Sequence, residues 1–175
     1  MKKYELTTET LQFAGRTLHR IKALRDFGSV KAGQFGGWIE NEKNLSQDDN
    51  AWIDGEAMVF DNARVFVNAK VFGYAKVYDF AEIYGNVRIY GNASIKGDAK
   101  IHDAVDYIVF KNFWSSGRYF TWTRSNNMWS VGCFYGIGEE LINKAYNDSE
   151  ISGKEYERVV RYVESILADE KKRSN

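Results

Sequence analysis

The middle of the chain repeats every six residues. One slot of the repeat holds Ala51, Ala57, Ala63, Ala69, Ala75, Ala81, Val87, Ala93, Ala99 and Val105, all small. Two residues after each stands Ile53, Val59, Val65, Val71, Val77, Ile83, Ile89, Ile95 or Ile101, and only the tenth position, Tyr107, departs from β-branched aliphatic. A helix would bring apolar residues together every 3.6 positions, so this period predicts a short strand after each of a series of bends. Within such a strand the small and aliphatic residues face inward. The residue between them, Arg64, Lys70, Lys76, Glu82, Arg88 or Lys100, faces solvent. The pairs at 61–62, 67–68, 73–74, 79–80, 85–86, 91–92 and 97–98 are rich in Gly, Asn and Asp, which tolerate positive φ and mark the corners. Three units close one triangular turn of a parallel β-helix in which each strand pairs with the strand eighteen residues away. The same register continues back through Leu45 and Ile39. That predicts about four turns, roughly 19 Å high at a strand spacing of about 4.8 Å.

An aromatic residue follows the aliphatic one in six units: Phe60, Phe66, Phe72, Tyr78, Tyr84 and Tyr90. Residues eighteen apart stack, so Phe60 over Tyr78, Phe66 over Tyr84 and Phe72 over Tyr90 are expected to form edge ladders that stiffen the corners. The same rings offer an adhesive edge for an oligomer, with a dimer favoured.

A β-helix leaves unpaired strand edges at its ends and needs caps. Residues 1–28 read as an N-terminal β cap, a hairpin turning at Ala14-Gly15. The β-helix itself takes residues 29–106, and Gly33, Gly36 and Gly37 suggest an irregular first turn where the backbone passes close to other atoms. Beyond residue 106 the period vanishes and aromatics crowd in, which predicts an α+β domain over 107–175. Its antiparallel strands are expected near 107–113, 118–124 and 128–134. A short helix over Glu139–Tyr146 follows. A second helix, opened by a capping box over Ser152–Glu155, carries an apolar stripe of Tyr156, Val159, Val160, Val163, Ile166 and Leu167. The tail from Asp169 is expected to fray.

Twenty-four basic residues balance twenty-four acidic ones. No global field therefore draws the chain to nucleic acid or an anionic membrane, and nucleic acid is disfavoured as a partner. One cysteine, Cys133, excludes an internal disulfide framework and fits a reducing cytoplasm, and its apolar neighbours predict a buried thiol. The polar N-terminus and the lack of a long apolar run predict a cytoplasmic protein without a membrane span.

Strings such as VFDNARV, IYGNVRI and IYGNASI resemble the hexapeptide-repeat superfamily. That resemblance implies a left-handed β-helix. The N-terminal segment from Lys2 to Ser46, and WTRSNNMWSVGCFYGIGEELINKAY with SGKEYERVVRYVE after it, resemble accessory proteins encoded by bacteriophages and prophages. Many hexapeptide-repeat proteins are acyltransferases, which use a histidine base and acetyl-CoA. The resemblance thus nominates His102, in the outward slot after Ile101, as the catalytic residue of that alternative, with His19 offering less. The three-histidine zinc site of other members lacks its residues here, so no metal and no resident cofactor are expected.

Trp114, Tyr119, Trp122, Arg124, Asn126, Asn127 and Trp129 surround a hairpin. Alternation sends only part of such a set to the core, and Trp, Tyr and Arg dominate adhesive surfaces. The sequence therefore favours a non-enzymatic interaction protein: a β-helix presenting an aromatic C-terminal domain, with Trp122, Arg124, Asn127 and Trp129 as the contact residues. The partner expected for a phage-type protein is a bacterial host component, such as a CRISPR-type defence protein. The alternatives are the acyltransferase and a nucleotide or single-strand nucleic-acid binder.

Overall fold

The computed structural model describes residues 1–113 and 116–173. Two compact units emerge, one of residues 1–108 with 123–126 and one of residues 109–122 with 127–175. No helix among the described residues is long and apolar enough to cross a membrane.

The first unit opens with a hairpin of β1 (Tyr4–Phe13) and β2 (Arg16–Ala23), turning at Ala14 and Gly15 with φ of 50° and 76°. Next comes β3 (Phe35–Ile39), which pairs antiparallel with β2 and parallel with the second of nine two-residue strands. These nine are β4 (Trp52–Ile53), β5 (Met58–Val59), β6 (Arg64–Val65), β7 (Lys70–Val71), β8 (Lys76–Val77), β9 (Glu82–Ile83), β10 (Arg88–Ile89), β11 (Ser94–Ile95) and β12 (Lys100–Ile101). They stack into three parallel faces, ordered β3-β5-β8-β11, β4-β7-β10 and β6-β9-β12. This is the expected parallel β-helix of six-residue repeats. Every alanine of the small slot and every Val or Ile of the aliphatic slot from Ile53 to Ile101 is buried. The first residue of each corner pair sits at positive φ, including Val67 at 62°, a conformation that crowds a β-branched side chain.

Two details depart from the six-residue reading. Ile39 pairs with Val59 and Leu45 bridges Val65, so both lie twenty residues from their partners and occupy aliphatic rather than small slots. The first turn is thus two residues longer, and the surplus falls between Leu45 and Ala51. At the other end Val105 is exposed, because the coil stops at Ile101 and a 3-10 turn over Ala104–Asp106 follows. Gly36 and Gly37 confirm the close approach: a Cβ would lie 2.5 Å from the Ile53 carbonyl oxygen at one and 2.6 Å from that of Ala57 at the other.

The second unit is built on an antiparallel sheet of β13 (Tyr107–Lys111), β14 (Tyr119–Thr123), β15 (Met128–Val131) and β16 (Phe134–Gly136). The sequence reading lacked β16, whose three residues follow a tight turn at Gly132-Cys133. In that turn Gly132 takes φ 56°, and Cys133 is exposed rather than buried. The helices are α1 (Gly138–Asp148) and α2 (Glu150–Arg173). Helix α2 starts before the expected capping box and remains helical through the tail to Arg173. Its buried stripe is Gly153, Tyr156, Val160 and Val163. At Gly153 a Cβ would lie 2.2 Å from the Tyr146 ring, so the close contact of the two helices requires glycine there.

Candidate functional site

The aromatic ladders stand as expected. Phe60 stacks on Tyr78 with ring centroids 4.9 Å apart, Phe66 on Tyr84 at 5.2 Å and Phe72 on Tyr90 at 5.7 Å. His102 occupies the same slot three units after Tyr84 and continues that ladder, its ring 5.1 Å from the tyrosine. The imidazole rests against the Gly85 corner, where a Cβ would come within 2.9 Å of His102 Cδ2.

The ending of the coil fixes this histidine from the other side. Its Nδ1 lies 2.8 Å from Asp103 Oδ2, and its backbone N–H donates to Asp106 Oδ2 at 2.9 Å. Asp106 Oδ2 also accepts from the Asp103 N–H at 2.8 Å. With the proton on Nδ1 donated to Asp103, Nε2 keeps a lone pair on a ring whose orientation is set by a stack and a carboxylate. Such an arrangement can take a proton from a hydroxyl or an amine. His102 is half exposed, and so is open to a small acceptor.

The four residues nominated at the aromatic hairpin meet a different fate. Trp122 and Trp129 are 1% and 2% exposed and belong to the core of the C-terminal unit. Strand β14 is covered on both faces from Phe120 to Thr123, whereas alternation alone predicted one open face. Asn127, at φ 53°, accepts the Trp122 Nε1 hydrogen at 2.9 Å and holds that ring in place. Arg124 lies in the first unit. Its Nε donates to the Val105 carbonyl at 3.0 Å and sits 3.9 Å from Asp106 Oδ1, so it braces the end of the coil. Trp114 lies outside the described residues. His19 Nδ1 is 3.3 Å from the Thr7 carbonyl oxygen inside the hairpin. Among the described residues no cluster of three His, Cys, Asp or Glu could hold a metal ion.

Sequence reasoning missed Lys3. Its ammonium is fully buried, donating to the carbonyls of Ala51 at 2.8 Å and Asp48 at 3.0 Å, within the two-residue surplus of the first turn. Burial lowers its pKa to about 8, against the pull of Asp49 and Asp48. Tyr4 beside it donates to the Leu45 carbonyl at 2.7 Å, and burial raises its pKa. The signal was faint, because one lysine near a terminus looks like any solvated charge.

No family model matches the chain. The chain is similar to the uncharacterized acetyltransferase YdcK of Escherichia coli (strain K12), 39% identical over 61 residues that cover 30% of this chain and 19% of that protein. It therefore spans about a fifth of the relative it matches. This finding corrects the reading of the chain as non-enzymatic. The relative bears the name of an enzyme.

Proposed function

We propose that the chain is a hexapeptide-repeat acyltransferase that moves an acyl group from a thioester donor of the acetyl-CoA type to a small amine or hydroxyl acceptor. The observation that carries this reading is the His102–Asp103 pair at the end of the Phe66–Tyr84–His102 ladder. The relative's name supports it. In the proposed reaction His102 Nε2 takes the acceptor's proton as its nitrogen or oxygen attacks the thioester carbonyl. The carbon–sulfur bond then breaks, and the proton passes to the departing thiolate. Asp103 orients the ring and stabilises its protonated form. Thiol release from acetyl-CoA, measured over a panel of amines and sugars, tests the proposal. Replacement of the base in His102→Gln is expected to lower the rate by about 10²–10⁴-fold. Full turnover in that variant, or none in the wild type with any acceptor, would sink it.

A protein partner is a second, compatible reading, favoured by the corner rings Tyr74 and Phe80, which are 64% and 66% exposed. The proposed partners are a second copy of the chain and a bacterial host component. Sedimentation and pull-down with Phe80→Ser distinguish a contact surface from free corners.

A further inference from the structure

The three faces of the β-helix treat their outward charges differently. On the β6-β9-β12 face Arg64, Glu82 and Lys100 alternate in sign, with Arg64 3.9 Å and Lys100 4.0 Å from the Glu82 carboxylate. On the β3-β5-β8-β11 face the outward residues are Trp38, Met58, Lys76 and Ser94, so Lys76 stands between uncharged neighbours. On the β4-β7-β10 face Trp52, Lys70 and Arg88 stand in register, two cations side by side with no acid between them. Like charges on neighbouring strands repel, and neither Lys70 nor Arg88 forms an ion pair among the described residues. Lys70 donates instead to the Ser29 hydroxyl at 2.7 Å, and Arg88 lies over the Phe72 ring at 5.8 Å.

These residues line a cleft of about 190 Å³ between the irregular segment before β3 and this face, with Asp54 and Gln34 in the same wall. Trp52 is part of that wall. It is 2% exposed, packed edge to face against Phe27 at 5.4 Å.

We propose that this cleft binds a small hydroxylated organic phosphate. A phosphate dianion neutralises Lys70 and Arg88 together, which a single carboxylate would not. The Phe72 and Trp52 rings give its carbon skeleton an apolar wall, and the Asp54 carboxylate accepts from a hydroxyl. The volume lies below the roughly 300–1,000 Å³ of sites for drug-sized ligands, so the ligand is small. The site lies on a different face of the coil from His102, and its occupancy does not depend on acyl transfer.

Calorimetric titration with glycerol phosphate as the probe tests the assignment, with inorganic phosphate and glycerol as separate arms. The expected result is saturable binding of glycerol phosphate, weaker binding of inorganic phosphate and none of glycerol. Lys70→Met and Arg88→Met, both at outward positions that leave the core intact, are expected to weaken binding by about tenfold or more each. Lys76→Met, on another face, is expected to change nothing. Circular dichroism checks that each variant is folded. The proposal is overturned if glycerol phosphate shows no saturable binding in the millimolar range. It is equally overturned if inorganic phosphate binds as tightly, or if the folded Lys70→Met/Arg88→Met double variant binds as well as the wild type.

Discussion

The two units of this chain use apolar residues in opposite ways. In the β-helix each inward position is small or β-branched, and the large rings sit at corners where they stack eighteen residues apart. In the C-terminal unit the large rings are the core: Phe120, Trp122, Trp129 and Tyr156 are buried together, with Phe120 and Tyr156 meeting edge to face at 4.5 Å. A coil of two-residue strands has a narrow interior that only short side chains fill. A four-stranded sheet with two helices has more volume per strand and is filled by tryptophan. Side-chain size alone therefore does not say which residues are available for function. In the coil the large rings lie outside the narrow interior, some of them covered by the N-terminal hairpin, and in the second unit Trp122 and Trp129 fill the core itself.

The sharpest way to break this contrast is to charge the narrow interior. Ala69 is fully buried between strands whose neighbours are Val65 and Val71, and Ala69→Asp would place an unpaired carboxylate there. The expected outcome is loss of the folded β-helix, since a buried unpartnered charge costs several kcal/mol or more. A native circular dichroism spectrum and an unchanged melting temperature would contradict the register.

A smaller effect is expected from cutting the core of the second unit. Trp129→Ala should destabilise it by about 3–5 kcal/mol. Hydrogen exchange reads this as lost protection in β14, β15 and the buried stripe of α2, with the amides of β7 and β8 unaffected. Unchanged protection in β15 would place Trp129 on the surface after all.

The smallest effect concerns Lys3. Its lowered pKa means that the folded state gives up the proton near pH 8, while the unfolded chain keeps it to about 10.5. In that window the unfolded state binds more protons, so this group adds stability as pH rises. Below it the penalty of burying the charge is fully present. Urea denaturation at intervals over roughly pH 7.5 to 9, below most of the tyrosine ionisation in the unfolded chain, should show the wild type gaining stability relative to Lys3→Met. Parallel curves for the two proteins would remove Lys3 as the source.

Most of the β-helix was legible because its constraint is periodic. A six-residue spacing of Ala and Val/Ile, with Asp or Gly at the corners, admits few folds. The reading slipped where the period is broken by local needs: the longer first turn that seats Lys3 and Tyr4, and the last coil, where Asp103 and Asp106 replace the next strand. In the C-terminal unit the elements were legible but the exposure was not. A strand covered on both faces has no alternation to read, so Trp122 and Trp129 looked available for binding when they are core. The His102 pair was visible as a neighbouring His-Asp, yet its significance depends on Tyr84 and Gly85, which only the coil brings beside it. The cleft at Trp52, Lys70 and Arg88 was legible only as three outward residues at eighteen-residue spacing, and its missing acid stands out only against Glu82 on the other face.

The central proposal is that acyl transfer takes place on the β-helix, while Trp122 and Trp129 of the second unit are core. The most direct measurement is the location of the acyl donor, read by amide chemical-shift changes as acetyl-CoA is titrated into the isotope-labelled protein. The account predicts changes that centre on residues 84–86 and 101–106 and vanish in His102→Gln at the ring's own neighbours. Changes confined to residues 119–122 and 127–163, or no changes at all, would contradict it.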